Sequence, residues 1–268
     1  MGIRPKAPII SESRDHTSAN YIMQIENSYH KSSCVETYYQ CSLQSTESNV
    51  LAELFAQIIS VSANNTLRTQ EQLGYIVWSG VRRASGVQGI RFIVQSERHP
   101  AYVDSRIEAF LVSAGEDLRR MDQEEFDRHK EALAAQRLEK PKKLIVQTGR
   151  YWSEIAMQQY NFDRANIEVD YLRNKVTKDD VIKFYDELLS ANSSKRHKLA
   201  IHVLSKAEGG AGTIEDGEKT ASNGDGQTDP NAEIIEDLIE FKSSQCLFPL
   251  VQPFLQVGLR FRSTKAKL

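Results

Sequence analysis

Cysteine is scarce in this sequence. Only Cys34, Cys41 and Cys246 occur in 268 residues. An odd count makes no disulfide framework, so the thiols are expected to be free in a reducing, intracellular setting. Long apolar runs are missing too. None approaches the roughly 18 residues of a membrane helix, and the opening MGIRPKAPIISESRDH lacks a signal-peptide core. Met1-Gly2 does not open a myristoylation signal, because Lys6 stands where Ser or Thr is needed. Net charge is nearly absent: 34 Lys and Arg against 36 Asp and Glu leave −2, which gives no field for nucleic acid or membrane.

The chemical signatures of several enzyme classes are also lacking. No Gly-x-Ser-x-Gly and no Gly-x4-Gly-Lys-Ser/Thr occurs, and Gly86-Val87-Gln88-Gly89 is a loop feature. None of His16, His30, His99, His129, His197 and His202 is followed by Glu at the third position and His at the fourth. His197 and His202 stand an odd number of positions apart on a candidate strand, as do Cys34 and Cys41, so neither pair can chelate. Glu124 to His129 reads as a solvated helix face.

What is present suits a folded domain: 40% hydrophobic and 26% charged residues. Residues 1–18 form an irregular lead-in. Asn20–Asn27 and Cys34–Gln44 read as strands, joined by a polar link that suits a hairpin. Residues 47–62 carry Val50, Leu51, Leu54, Phe55, Ile58, Ile59 and Val61 on one helical face, with Ser45 or Thr46 as cap. Two strands follow, Tyr75–Arg83 and Gly89–Ser96, around Ala84-Ser85-Gly86. Helices are expected over 100–120, from the Asp122 cap to about Lys140, over 143–160 and 164–174, and from Thr177. Pro141 interrupts this series, and His197–Leu204 alternates as a last strand. Strands early and helices late imply α+β, with helices covering one face of a mixed sheet. The domain so defined runs over 19–205. Residues 206–231 are Gly-, Asp- and Ser-rich and read as a flexible low-complexity insertion. Residues 232–268 offer a short amphipathic helix on Ile234, Ile235, Leu238, Ile239 and Phe241. An apolar tail follows, expected to pack back on the domain.

The most informative stretch is Leu67–Gly80, LRTQEQLGYIVWSG. With ETYYQCSLQST, GIRFIVQSE, LEKPKKL, YWSEIAMQQYNFDRAN and the closing AKL, it makes six segments in order along one chain. Through them, about residues 20–205 resemble the C-terminal region of the insulin-degrading enzymes, the pitrilysin-type inverted-motif zinc peptidases. In that family four α+β modules of the LuxS/MPP type form two bowl-shaped halves around a chamber. The N-terminal half holds zinc through His-x-x-Glu-His. The resemblance implies that this chain is the fourth module, with no metal ligand or cofactor of its own and zinc in the missing N-terminal half.

The resemblance further implies that Arg68 and Tyr75 act as auxiliary catalytic groups reaching across the chamber to the scissile peptide. A fixed cation and a phenolic donor would stabilise charge on a carbonyl oxygen. Read without it, Arg68 is a surface ion pair and Tyr75 a half-buried strand position. Gly74 permits a turn or a close backbone approach, and Glu71 and Gln72 orient the loop by local hydrogen bonds. Arg137, Lys140, Lys142 and Lys143 flank Pro141. The family's matching segment binds polyanions such as nucleotide polyphosphates; read alone, the cluster is a solvated helix end. The implied partners are a peptide substrate, a zinc-bearing N-terminal half and a polyanion or nucleotide, without nucleic acid or membrane. The alternative is a free-standing peptide-binding or assembly module without hydrolytic activity. A cytoplasmic location is expected, and Ala266-Lys267-Leu268 stands one step from the Ser-Lys-Leu peroxisomal address.

Overall fold

The computed structural model describes residue 9, residues 18–211, residues 232–249 and residues 253–254. Most of the lead-in, residues 212–231 of the low-complexity stretch, and residues 250–252 and 255–268 of the tail, Ala266-Lys267-Leu268 included, lie outside the described residues.

Six strands form one mixed sheet: β1 (Ala19–Asn27), β2 (Ser33–Leu43), β3 (Ile76–Ala84), β4 (Val87–Ser96), β5 (His197–Ser205) and β6 (Glu233–Ile234). Their order is β3-β4-β2-β5-β1-β6. The pairs β3–β4, β4–β2 and β2–β5 are antiparallel, and β1 pairs in parallel with β5 and β6. The hairpin expected between β1 and β2 does not form, because β5 lies between them. The polar link over 28–32 must therefore span about 10 Å, two strand spacings. β5 suits the central place because it buries residues on both faces, Lys198, Ala200 and His202 on one side and His197 on the other. The β3–β4 connection forms as expected. Ser85 (φ +50°) and Gly86 (φ +83°) supply the two left-handed residues of a tight hairpin.

Helices α1 (Thr46–Ala63), α2 (Pro100–Arg120), α3 (Gln123–Leu138), α4 (Leu144–Ala156), α5 (Arg164–Asn174) and α6 (Lys178–Leu188) follow the expected sequence. Their starts are chemically marked. Ser45 and Ser48 form a reciprocal capping box at α1, as do Thr177 and Asp180 at α6, and Asp122 accepts from the Glu125 amide at 2.7 Å. α4 ends at Ala156, short of the expected 160, where Gln158 and Tyr160 turn to positive φ. The amphipathic helix expected from Ile234 begins later, as α7 (Leu238–Ser244), because residues 233–234 pair with β1.

α1 and α2 pack on one face of the sheet, and α3, α5 and α6 surround α1. This core holds Tyr39, Phe55, Phe92 and Phe126. The other face carries a smaller cluster of Ala19, Tyr21 and Tyr38, over which α7 sets Phe241 edge-on to Tyr21 at 4.9 Å. The architecture is α+β, as the residues imply.

Candidate functional site

α1 continues directly into a π-helical segment, Asn64–Gln70. The Glu71 amide reaches back five residues to the Thr66 carbonyl at 2.9 Å, and the Leu73 amide reaches Leu67 at 3.0 Å. π-Turns of this kind are rare and concentrate at functional sites. Leu67 and Leu73 are both buried and pin the segment from below. Arg68 stands between them, exposed, and its guanidinium lies 4.8 Å from the centre of the Tyr75 ring. The two residues singled out in the sequence are therefore brought together. An exposed cation–π contact contributes about 0.5–1 kcal/mol, enough to bias the orientation of the pair. Tyr75 is 84% exposed and precedes β3, so it is not the half-buried strand residue that its apolar context implies.

The loop under the pair is braced from a distance. Glu71 receives two hydrogen bonds from Arg106 on α2, at 2.9 and 2.8 Å. Its partner is thus 35 positions away and not local, because the loop packs against the flank of α2. The bidentate, partly buried geometry makes this pair worth more than the roughly 0.2–1 kcal/mol of an exposed one. Gln72 adopts φ +52° and turns the chain toward β3. Gly74 is required by space: a Cβ there would sit 1.8 Å from the Gln95 carbonyl oxygen on β4. The Ser96 hydroxyl donates to the Leu73 carbonyl. Arg106, Gln95 and Ser96 were not legible as site residues, since no short-range spacing links them to Tyr75.

The basic cluster divides. Lys140, Lys142 and Lys143 are exposed where α3 gives way to α4. Lys142 pairs with Glu139 at 2.9 Å. Arg137 does not belong to this exposed group. Its guanidinium turns inward and bonds Glu53 on α1 and Glu168 on α5, where burial of Glu168 demands a cation. Arg137 and Glu53 line an open cavity of about 1050 Å³ between α1, β3, α3, α4 and α5. Arg83 adds a 2.6 Å contact to Glu53, and Arg164 binds Glu154 at 2.5 Å and Glu168 at 3.2 Å. Arg68 and Tyr75 do not line this cavity.

A second charged cluster is buried between α2 and β5. Lys198, 2% exposed, lies 2.8 Å from both Asp104 and Glu108. Thr37 donates to Asp104 at 3.1 Å, Tyr39 donates to Glu108 at 2.8 Å, and His202 stands 3.4 Å from Asp104. Burial alone would raise the Asp104 carboxyl, but the Lys198 charge and the His202 imidazole outweigh it and hold Asp104 well below the usual range. Burial pushes the thiols of Cys34 and Cys41 up, to about 12 for Cys41, so neither is a nucleophile at neutral pH.

Over 239 residues, 88% of this chain, the sequence is 47% identical to the insulin-degrading enzyme of Bos taurus. The chain belongs to the insulin-degrading enzyme family. The insulin-degrading enzyme of Homo sapiens matches to the same extent, and that of Drosophila melanogaster is 39% identical over 92% of this chain. The chain spans 23% of the length of the bovine and human relatives and 24% of the fly one. Residues 54–152 match the family model described as PQQ synthase PqqF-like, C-terminal lobe domain 4. Among solved structures, pitrilysin superposes with a TM-score of 0.72 at 18% identity, over 93% of this chain and 24% of that one, which establishes the fold.

The insulin-degrading family implies zinc, and the donors that the described residues offer do not assemble a site for it. Among the described residues no three of His, Cys, Asp and Glu converge on one point. His99 caps α2, accepting from the Ala101 amide at 3.2 Å, and His202 is buried beside Asp104. The described residues do not fit a zinc centre.

Proposed function

We propose that this chain is the substrate-clamping module of an insulin-degrading-type peptidase, whose metal and attacking water come from outside it. The observation that carries the reading is the exposed Arg68–Tyr75 pair on a loop braced by Glu71–Arg106 and Gly74. A guanidinium offers a positive charge and a planar fork of donors, and a phenol offers one O–H donor. Set side by side and facing outward, the two can meet a peptide carbonyl oxygen as it gains negative charge. The peptide class is supported by the names of the relatives, including a putative zinc protease of Caenorhabditis elegans, 37% identical over 66% of this chain.

The test mixes the purified chain with a separately produced zinc-bearing half and follows cleavage of a fluorogenic peptide. Cleavage that depends on both components, and falls with Arg68→Ala or Tyr75→Phe, supports the clamp. A chain that binds the peptide yet changes no turnover favours the binding-module alternative. Zinc-dependent hydrolysis by the chain alone, surviving repurification, defeats the proposal.

The polyanion reading rests on Lys140, Lys142 and Lys143 without Arg137, whose charge is already taken by Glu53 and Glu168. Triphosphate binding that weakens with salt and is lost in a triple Lys→Ala variant supports it. The address reading of Ala266-Lys267-Leu268 belongs to the same proposal. An Arabidopsis thaliana relative, 32% identical over 81% of this chain, is named peroxisomal. Co-localisation of a tagged chain with peroxisomes tests it.

A further inference from the structure

α4 stands apart from every other long helix: none of its residues is buried. Its composition is nevertheless that of a packed helix. Leu144, Tyr151 and Ile155 recur at helical spacing along one stripe, with Ile145 and Trp152 at its edge. Leu144 is 78% exposed and Trp152 65%. A contiguous apolar stripe of this length signals a missing partner surface.

The chain itself arrives at this helix. The Cys246 carbonyl accepts from the Ile9 amide at 2.7 Å, and the following segment reaches the end of α4, where the Phe254 amide donates to the Gln159 carbonyl at 2.7 Å. Beyond Phe254 the sequence reads Leu255, Gln256, Val257, Gly258, Leu259, Arg260, Phe261, Arg262. Apolar and polar residues alternate strictly, so an extended chain puts Leu255, Val257, Leu259 and Phe261 on one side. The lengths agree. Thirteen residues of α4 span about 20 Å at ~1.5 Å each, and an extended stretch from 255 to 261 spans about 23 Å at ~3.3 Å each.

We propose that residues 255–261 dock along the apolar stripe of α4, running from beside Gln159, just past its C-terminal end, toward Leu144. Leu255, Val257, Leu259 and Phe261 face the helix, and Gln256, Gly258, Arg260 and Arg262 face water. This arrangement draws Arg260 and Arg262 toward Lys140, Lys142 and Lys143. The like charges oppose docking at low ionic strength, so added salt tightens it.

Trp152 reports on this directly, since Trp78 is the other tryptophan and Trp78→Phe silences it. In the Trp78→Phe background the full chain is compared with a chain ending at Phe254 and with Val257→Asp/Phe261→Asp. Far-ultraviolet circular dichroism verifies that each is folded. Docking predicts that both variants raise the acrylamide quenching constant of Trp152 about two-fold or more and shift its emission to the red, because water regains the indole. A synthetic 255–268 peptide added to the truncated chain reverses both changes. Equal quenching in all three chains overturns the proposal and leaves the stripe to a separate protein. Protection that rises with protein concentration, together with a dimer in sedimentation, overturns it in favour of a second copy.

Discussion

Arg68 and Tyr75 point outward, and neither supports the core. Arg68→Ala and Tyr75→Phe are therefore expected to leave stability within about 0.5 kcal/mol, measured by urea unfolding. In the two-component peptidase assay each should lower turnover on the order of 10²-fold, the scale of losing one donor to a developing oxyanion. Gly74→Ala behaves in the opposite way. Its Cβ has no room beside the Gln95 carbonyl, so the loop or β4 must shift, at a cost of about 1–3 kcal/mol. Arg68, Gly74 and Tyr75 stand out in the sequence because they lie within one short stretch. Arg106 does not, although it braces the same loop through Glu71, because 35 positions and a turn of the chain separate them. Arg137 shows the reverse error: its place beside three lysines suggests a surface cation, and only the positions of Glu53 and Glu168 draw it inward.

At the scale of elements, helix starts were the most legible, because Ser45, Asp122 and Thr177 carry local capping chemistry. The pairing of β1 was not legible. Nothing in Ala19–Asn27 says that its neighbour is β5, which lies about 180 positions later, and the polar link after it suits a hairpin equally well. The α2–β5 contact rests on charge. Replacing Lys198 by Met should cost about 3–5 kcal/mol, since Asp104 remains buried without its ammonium partner, while the half-buried Glu108 keeps Arg196. The pH dependence follows in sign. Asp104 is held below its unfolded value of about 3.9, so its contribution is full above that pH and is lost as pH falls. Burial alone would lower the Lys198 ammonium, but Asp104 and Glu108 raise it above its unfolded value of about 10.4. Its contribution is full below that pH and is lost as pH rises past it. Thermal midpoints should fall at both extremes of pH, and Lys198→Met should lessen the alkaline fall without abolishing it, because burial also holds the Cys41 thiol and the Tyr39 phenol protonated in the folded chain.

For the whole molecule, the decisive fact is how small a share of its relatives' length the chain spans. The chain spans 23% of its bovine and human relatives, and no three potential metal donors converge among the described residues. The proposed clamp thus predicts strict dependence on a second component. Titrating the chain into a fixed amount of zinc-bearing half should give saturable activity, and chelation should remove it at every ratio. A linear, chelator-resistant rise would mean contaminating protease.

The residues alone determined the α+β class, the family and the short stretch that carries Arg68 and Tyr75. These are local properties: periodicity, capping chemistry and motif spacing are written in consecutive positions. Tertiary structure decided the rest. It set the guanidinium 4.8 Å from the phenol ring, placed β5 between β1 and β2, withdrew Arg137 from the lysines and left α4 bare. Each of these depends on packing between distant segments, where burial of charge and exclusion of volume act and sequence spacing carries no information.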